Sequence, residues 1–375
     1  MNRQLQDQAI KFALRNPKIV LTLLGVAAVL ALGYFIWTRL PKHQSPPPLA
    51  GNGEPGIVYF CAWNVENFSD DNDDPKIHDE MEDWFGNDSA AFREKVDHLA
   101  KGLLLMNHGA GPDIACLCEV ESERCMTALM ETLNAKLEAA GHGDRKYTSM
   151  LFKGDNMGRH FAPGIRTRLQ VTADRTRKLG KRANGKIIEG HLYRNDHELI
   201  VIVAHWTSRV TDKEGVGNRQ ADYAEDCYDR VKAILHENPN ADIIVCGDFN
   251  DEFADHSIQV ELHATSKAED ARNSIAEPRL LDLLANGSGD PRGSIFGKCK
   301  WSVFDHICVT RGLLDDQGWL CDPKNARVVA PDELRLKHGR GFEPFSFGKA
   351  NHKGARGYSD HFPVTATLSV AGRQP

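Results

Sequence analysis

Apolar runs rich in β-forming residues recur along the chain, and each gives way to one or two polar residues. Residues 57–63 (IVYFCAW) predict a buried strand, as do 112–121 (PDIACLCEVE), 199–208 (LIVIVAHWTS), 241–251 (ADIIVCGDFND), 303–310 (VFDHICVT) and 362–370 (FPVTATLSV). Between several of them the apolar spacing turns helical. Phe92, Val96, Leu99 and Leu103 mark a helix over 92–106, with further helices expected over 123–140 and 221–235. The acidic stretch 66–83 reads as a solvated loop. Strands alternating with helices, without an internal repeat, indicate α/β layers around one core.

The N-terminal part has a different character. Residues 19–37 (IVLTLLGVAAVLALGYFIW) carry no charge, and at about 1.5 Å per residue such a helix nearly spans a hydrocarbon core of about 30 Å. Tyr34 and Trp37 fall where aromatic rings favour the interface. The run continues past the small-residue stretch Ala31-Leu32-Gly33, so an uncleaved signal anchor is expected. Arg3, Lys11, Arg15 and Lys18 precede the span, whereas Arg39 and Lys42 follow it. This bias places the N-terminus in the cytoplasm and the globular part outside. The division is a tail at 1–18, a transmembrane anchor at 19–38, a Pro/Gly linker at 39–56 and a globular domain at 57–371.

Composition adds limits. A net charge of −6 excludes a uniformly basic nucleic-acid clamp. Nine cysteines are scattered with no C-x-x-C pair of zinc spacing, and most sit in apolar runs as small hydrophobes. Cys299 and Cys321, in polar surroundings, are the pair that an oxidising compartment could join.

The candidate chemistry lies where strands end. Asn64, Glu119, His205, Asp248 with Asn250, Asp305, and Asp360 with His361 each fall at the junction of an apolar run and a loop. A rigid scaffold presents reactive groups at such points. Singly, each is an ordinary turn or surface residue; their joint occurrence in this order is not. Hard oxygen donors suit Mg²⁺, with Glu119 and Asp360 the first ligands and the Asn64 amide oxygen assisting. Asp305 beside His361 would fix its tautomer and favour its charged form.

WNVENF (63–68), CLCEVE (116–121), AHWTS (204–208), GDFND (247–251), FDHICV (304–309) and YSDHFPV (358–364) together resemble the motifs of the endonuclease/exonuclease/phosphatase superfamily, over about 57–370. The resemblance implies a four-layer α/β sandwich, two mixed β-sheets face to face with helices outside. It also implies in-line attack of water on phosphorus. Mg²⁺, or Mn²⁺ as the alternative, would be held by Asn64, Glu119 and Asp360. Asp248 would orient or deprotonate the water and Asn250 position it. Asp305 would orient His361 toward the scissile phosphate, and His205 would stabilise phosphate oxygens or protonate the leaving group. Histidine at 205 and His306 after Asp305 resemble the deoxyribonuclease, sphingomyelinase and 5-phosphatase side more than the repair endonucleases. Pancreatic-type deoxyribonucleases pair the first histidine with a glutamate, for which Glu189 is the candidate.

Charge patterning bears on the substrate. From Arg145 to Lys186 lie Arg159, Arg166, Arg168, Arg175, Arg177, Lys178, Lys181 and Arg182; a second basic segment holds Lys337, Arg340, Lys349, Lys353 and Arg356. If both flank the catalytic mouth, a polyanion is expected and a nuclease is the first reading. A lipid or small-molecule phosphoesterase is the alternative, and a catalytically silent, membrane-tethered binding module the third. No protein partner is implied.

Overall fold

The computed structural model describes residues 56–72, 88–154, 162–180, 185–208, 219–287, 290–338, 341–348 and 355–371. The expected anchor at 19–38 and its linker lie outside them. Among the described residues no helix is long and apolar enough to cross a membrane.

Each of two sheets has a parallel pair of strands at its centre. In the first, β1 (Ile57–Phe68) runs parallel to β2 (Ile114–Val120), and helix α1 (Ser89–Leu104) lies between them in the chain. Helix α2 (Glu123–Ala139) follows; antiparallel β3 (Ser149–Phe152) and β4 (Ala162–Thr167) extend the sheet beyond β2. In the second sheet, β5 (Ile187–Arg194) forms a hairpin with β6 (His197–His205). Helix α3 (Arg219–Glu237) then returns the chain to β7 (Ile243–Asp248), parallel to β6. Strands β8 (Leu280–Asp282) and β11 (Asp305–Val309) continue this sheet, and a small hairpin, β9 (Ile295–Gly297) with β10 (Lys300–Ser302), lies between them in the chain. β12 (Trp319–Cys321) is followed by a separate hairpin of β13 (Arg335–His338) and β14 (Gly341–Pro344), and then by β15 (Val364–Val370), which completes the first sheet by pairing with β1 on one side and β12 on the other. Both sheets are therefore mixed.

Strand alternation explains the layers, since successive side chains point to opposite faces. Val58, Phe60 and Ala62 of β1 meet Val201 and Val203 of β6, Ile244 and Cys246 of β7, and Ile307 and Val309 of β11 in one core between the sheets. The alternate residues face outward. Ile200, Ile202, Ile243 and Val245 pack under Tyr223, Cys227 and Val231 of α3. On the other side Trp63 lies against Gly102 of α1, and Met126 of α2 lies over Gly164 of β4. Helix, sheet, sheet, helix is the resulting order. Both α1 and α2 begin on side chains that accept backbone N–H bonds, Asp88 and Ser122.

The strands run further than the apolar runs alone indicate. β1 continues through Asn64 to Phe68, across a register shift against β2 between Asn64 and Phe68. β15 starts at Val364 rather than 362, because Pro363 has no N–H to donate. All nine cysteines are free; Cys321 is buried and Cys299 exposed, so the pairing considered for them is not made.

Candidate active site

Parity brings the site together. Asn64 continues the inward series of β1, His205 that of β6, Asp248 that of β7, and Asp305 opens the inward series of β11. All therefore point between the sheets, at the end where the parallel strands finish. Glu119 has the wrong parity, since Ile114, Cys116 and Cys118 are the inward residues of β2. The backbone corrects this. Glu119 takes a left-handed conformation, φ 62°, where the β2–β4 register shifts between Leu117 and Val120. A non-glycine residue there is strained by about 1–2 kcal/mol, and such kinks re-aim side chains beside active sites. Asn250 is held at φ 52° for the same end. Between them Gly247, at φ 127°, is required: a Cβ there would lie 2.1 Å from the Ala204 carbonyl oxygen.

Asn64 is the hub. Its Nδ2 donates to Glu119 Oε1 and to Asp248 Oδ2, both at 2.9 Å, while its Oδ1 accepts the Glu66 N–H at 3.0 Å. That last bond fixes which way the amide faces, since an NH₂ could not accept it. The amide oxygen expected to assist a metal thus accepts one backbone N–H and keeps a second lone pair, while the nitrogen ties two carboxylates together. Glu119 also accepts the Asn67 N–H at 2.7 Å. Burial pulls its carboxyl up, but His205, Asn64 and Asn67 outweigh burial and hold it below the usual range.

Asp248 sits between two histidines, its Oδ2 3.9 Å from His205 Nε2 and 3.8 Å from His361 Nε2. Its Oδ1 accepts the Asn250 N–H at 2.9 Å, and Asn250 Nδ2 donates to the Trp206 carbonyl at 2.9 Å. Burial, reinforced by Asp305, pushes the Asp248 carboxyl to about 7 against the pull of His361. His361 Nδ1 meets Asp305 Oδ2 at 2.7 Å. Burial opposes charge on this ring, but Asp305 and Asp248 outweigh it and raise its pKa well above the ordinary histidine value. The expected pairing of Asp305 with His361 is present. His205 is the opposite case. Burial and then Lys186, together stronger than Glu119, push it down to about 3.

The segment carrying Asp360 and His361 is docked on the first sheet and α1. Ser359 Oγ donates to the Asn64 carbonyl at 2.6 Å, and Trp63 Nε1 to the His361 carbonyl at 2.9 Å. Lys95, fully buried on α1, donates to the Tyr358 carbonyl at 2.9 Å. Asp360 itself is exposed at the lip, within electrostatic reach of His361, Glu66, Glu119 and Lys95.

Several expectations are corrected. Glu189 does not reach His205. It faces the outer side of its sheet, where Arg230 of α3, Arg177 and His191 bind it. The residue opposite His205 is Lys186, whose carbonyl accepts the His205 N–H at 2.9 Å. Arg159, Lys181 and Arg182 of the first basic segment lie outside the described residues, and several of its other members are engaged away from the site. Arg145 and Arg168 bind Asp113 at the far end of β2, and Arg166 is buried against the Met126 carbonyl. Arg175 pairs with Glu198 at the far end of β6. Of the second segment, Lys337 pairs with Asp332 and Arg356 lies over Phe347, while Arg340, Lys349 and Lys353 fall outside the described residues.

His306, next to Asp305, supports the site from behind. Both ring nitrogens have acceptors, Asp282 Oδ2 at 2.7 Å and the Asp251 carbonyl at 3.0 Å, and the ring stacks on Phe249. Burial disfavours its charge, but Asp282 and the Asp251 carbonyl raise it to about 9. A folded value above the unfolded 6.5 adds stability that is complete below pH 6.5 and disappears as pH rises through 9. We expect the wild type to lose about 2–3 kcal/mol more than His306→Gln between those pH values, measured by urea unfolding. Parallel pH dependences of the two proteins would show that His306 is neutral in the fold.

The donor set fits a hard divalent cation. Oxygens of Glu119 and Asp248 lie with His205 Nε2 within 4.8 Å of one another, Asp360 stands at the lip, and no thiolate is among them. A sandwich of two mixed sheets with this constellation at one end defines a class of phosphoester-cleaving enzyme. The chain belongs to the endonuclease/exonuclease/phosphatase family, whose model matches residues 59–370. Enzymes of this family are metal-dependent hydrolytic phosphoesterases. No curated protein matches the chain by sequence. Among solved structures it is similar to an endonuclease/exonuclease/phosphatase family protein from Bacteroides thetaiotaomicron, at 15% identity over 84% of this chain and 98% of that one, TM-score 0.51. It is also similar to a mannosyl-6-phosphatase from Bacteroides thetaiotaomicron (16% identity, 83% and 99% coverage, TM-score 0.50). A third is the beta toxin of Staphylococcus aureus (12% identity, 82% and 99% coverage, TM-score 0.50). At these identities the likeness is one of fold.

Proposed function

We propose that this chain hydrolyses a phosphoester by in-line attack of water, with Mg²⁺ as its divalent cation. The observation that carries the reading is the Asn64 amide bridging Glu119 and Asp248, with Asp248 facing both His205 and the His361–Asp305 pair. Glu119 and Asp360, assisted by the Asn64 amide oxygen, would hold the ion, which when bound offsets negative charge on the transition state. Asp248 orients the attacking water and takes its proton, and Asn250, anchored on Trp206, keeps Asp248 in place. His361, kept charged by Asp305, donates Nε2–H to a phosphoryl oxygen. His205 approaches the same phosphate from the other side.

Two readings of the substrate follow. A nucleic acid is the first, for which the sequence offers the basic residues Arg340, Lys349 and Lys353. A lipid or small phosphoester is favoured by the engagement of Arg145, Arg166, Arg168, Arg175 and Arg177 with partners inside the fold. The two part on salt. Cleavage of DNA held by several phosphate contacts falls steeply between 50 and 200 mM salt, by roughly 10³-fold or more. We expect a shallow dependence for the preferred substrate; a steep one, with DNA or RNA cleaved fastest, would restore the nuclease. We also propose the membrane anchor at 19–38, with the catalytic domain outside the cytoplasm. Digestion of that domain by protease added to spheroplasts is the expected result, and full protection would reverse the orientation.

A further inference from the structure

Lys186 immediately precedes β5, and the alternation of that strand carried back by one residue gives it the inner side of the second sheet, with Ile188 and Leu192, whereas Ile187 points outward under α3. Lys186 stands directly opposite His205, tied to it by the backbone bond already described, and its Nζ lies 3.5 Å from His205 Nδ1. An ammonium has hydrogens to give and no lone pair to accept with. His205 Nδ1 must therefore be the acceptor of that contact. The other nitrogen, Nε2, lies 3.5 Å from Glu119 Oε1 and 3.9 Å from Asp248 Oδ2, and both of these are acceptors. The ring is only 8% exposed, so it has little freedom to turn away.

We propose that Lys186 is a positioning residue that fixes His205 as the Nε2-protonated tautomer, so that the ring presents an N–H donor to the substrate phosphate. The proposal deepens the phosphoester-hydrolase reading and rests on it. The opposite tautomer makes two bad contacts at once: Nδ1–H would face the ammonium hydrogens, and the Nε2 lone pair would face two carboxylates. Two consequences follow. Nε2 has no lone pair left for a metal, so a cation at this site is held by oxygen atoms alone. Nor can Nε2 accept a proton from water, which leaves that role to Asp248. What His205 supplies is a hydrogen bond to a phosphoryl oxygen as its charge grows, aimed by Lys186 from behind.

Histidine-selective ¹⁵N labelling of the full chain in detergent, with and without Mg²⁺, reads the tautomer directly, and His205→Gln identifies the signals. We expect His205 to show a protonated Nε2 and an unprotonated Nδ1 at neutral pH, unchanged in type by Mg²⁺. Lys186→Met should mix the tautomers and lower kcat about tenfold or more with little change in KM, and Lys186→Arg should restore most of both. A wild-type ring protonated on Nδ1, or an Nε2 that becomes a ligand when Mg²⁺ is added, overturns the proposal. So does a Lys186→Met protein with the wild-type tautomer. The wild-type spectrum decides even where a variant fails to fold. A wild type with the expected tautomer but no hydrolase activity would overturn the enzymatic reading and still support the pairing of Lys186 with His205.

Discussion

Asp248→Asn should lose about 10³-fold in kcat while unfolding at nearly the wild-type temperature. The substitution keeps the shape and keeps an oxygen for the Asn250 N–H. It removes the proton acceptor, and it sets an NH₂ where Asn64 Nδ2 and a charged His361 now meet a carboxylate oxygen. Donor would face donor on both sides, so neither the water nor His361 would keep its orientation. Steady-state kinetics with thermal unfolding of the same preparation checks this. A variant retaining more than about a tenth of wild-type kcat would remove Asp248 from the chemistry.

The second large effect concerns Glu119. Glu119→Gln leaves an oxygen for the Asn67 N–H but takes a charge from the centre of the donor set. The Mg²⁺ concentration for half-maximal activity should rise about 10–100-fold, and kcat at saturating Mg²⁺ should also fall. Titrating activity against Mg²⁺ for both proteins measures it. An unchanged half-saturating concentration would mean that the ion is held elsewhere.

These predictions use residues that were legible before any coordinates, and it is clear why. Asn64, His205, Asp248 and Asp305 extend the inward series of strands whose apolar alternation is visible in the sequence, so strand pattern and motif point to the same place. Glu119 was found by its motif against its parity. Only the left-handed turn at that residue reconciles the two, and no sequence period encodes such a turn. Strands β4 and β5 were missed because Arg166, Glu189 and His191 interrupt their apolar pattern, although all three are buried, Arg166 against the Met126 carbonyl, Glu189 against Arg230 and His191 between Glu189 and Glu198. The same cause misled the charge reading. A count of arginines between 145 and 182 cannot show that Arg145 and Arg168 meet Asp113 or that Arg177 meets Glu189. Glu189 is set aside only by the register, which puts Lys186 opposite His205 and leaves Glu189 on the outer face with Ile187. Lys186 and Lys95 carry no sequence signal; a lysine before a strand or within a helix is ordinarily solvated.

The central claim is that this constellation hydrolyses phosphoesters with a divalent cation. It is tested most directly by incubating the purified full chain with sphingomyelin, inositol phosphates, sugar phosphates, plasmid DNA and RNA, with Mg²⁺ and with chelator, beside Asp248→Asn. The account predicts hydrolysis of at least one of them by the wild type with Mg²⁺, none with chelator, and almost none by the variant. Folded, Mg²⁺-loaded protein that cleaves nothing in the panel, or cleavage that survives both chelator and Asp248→Asn, would contradict it.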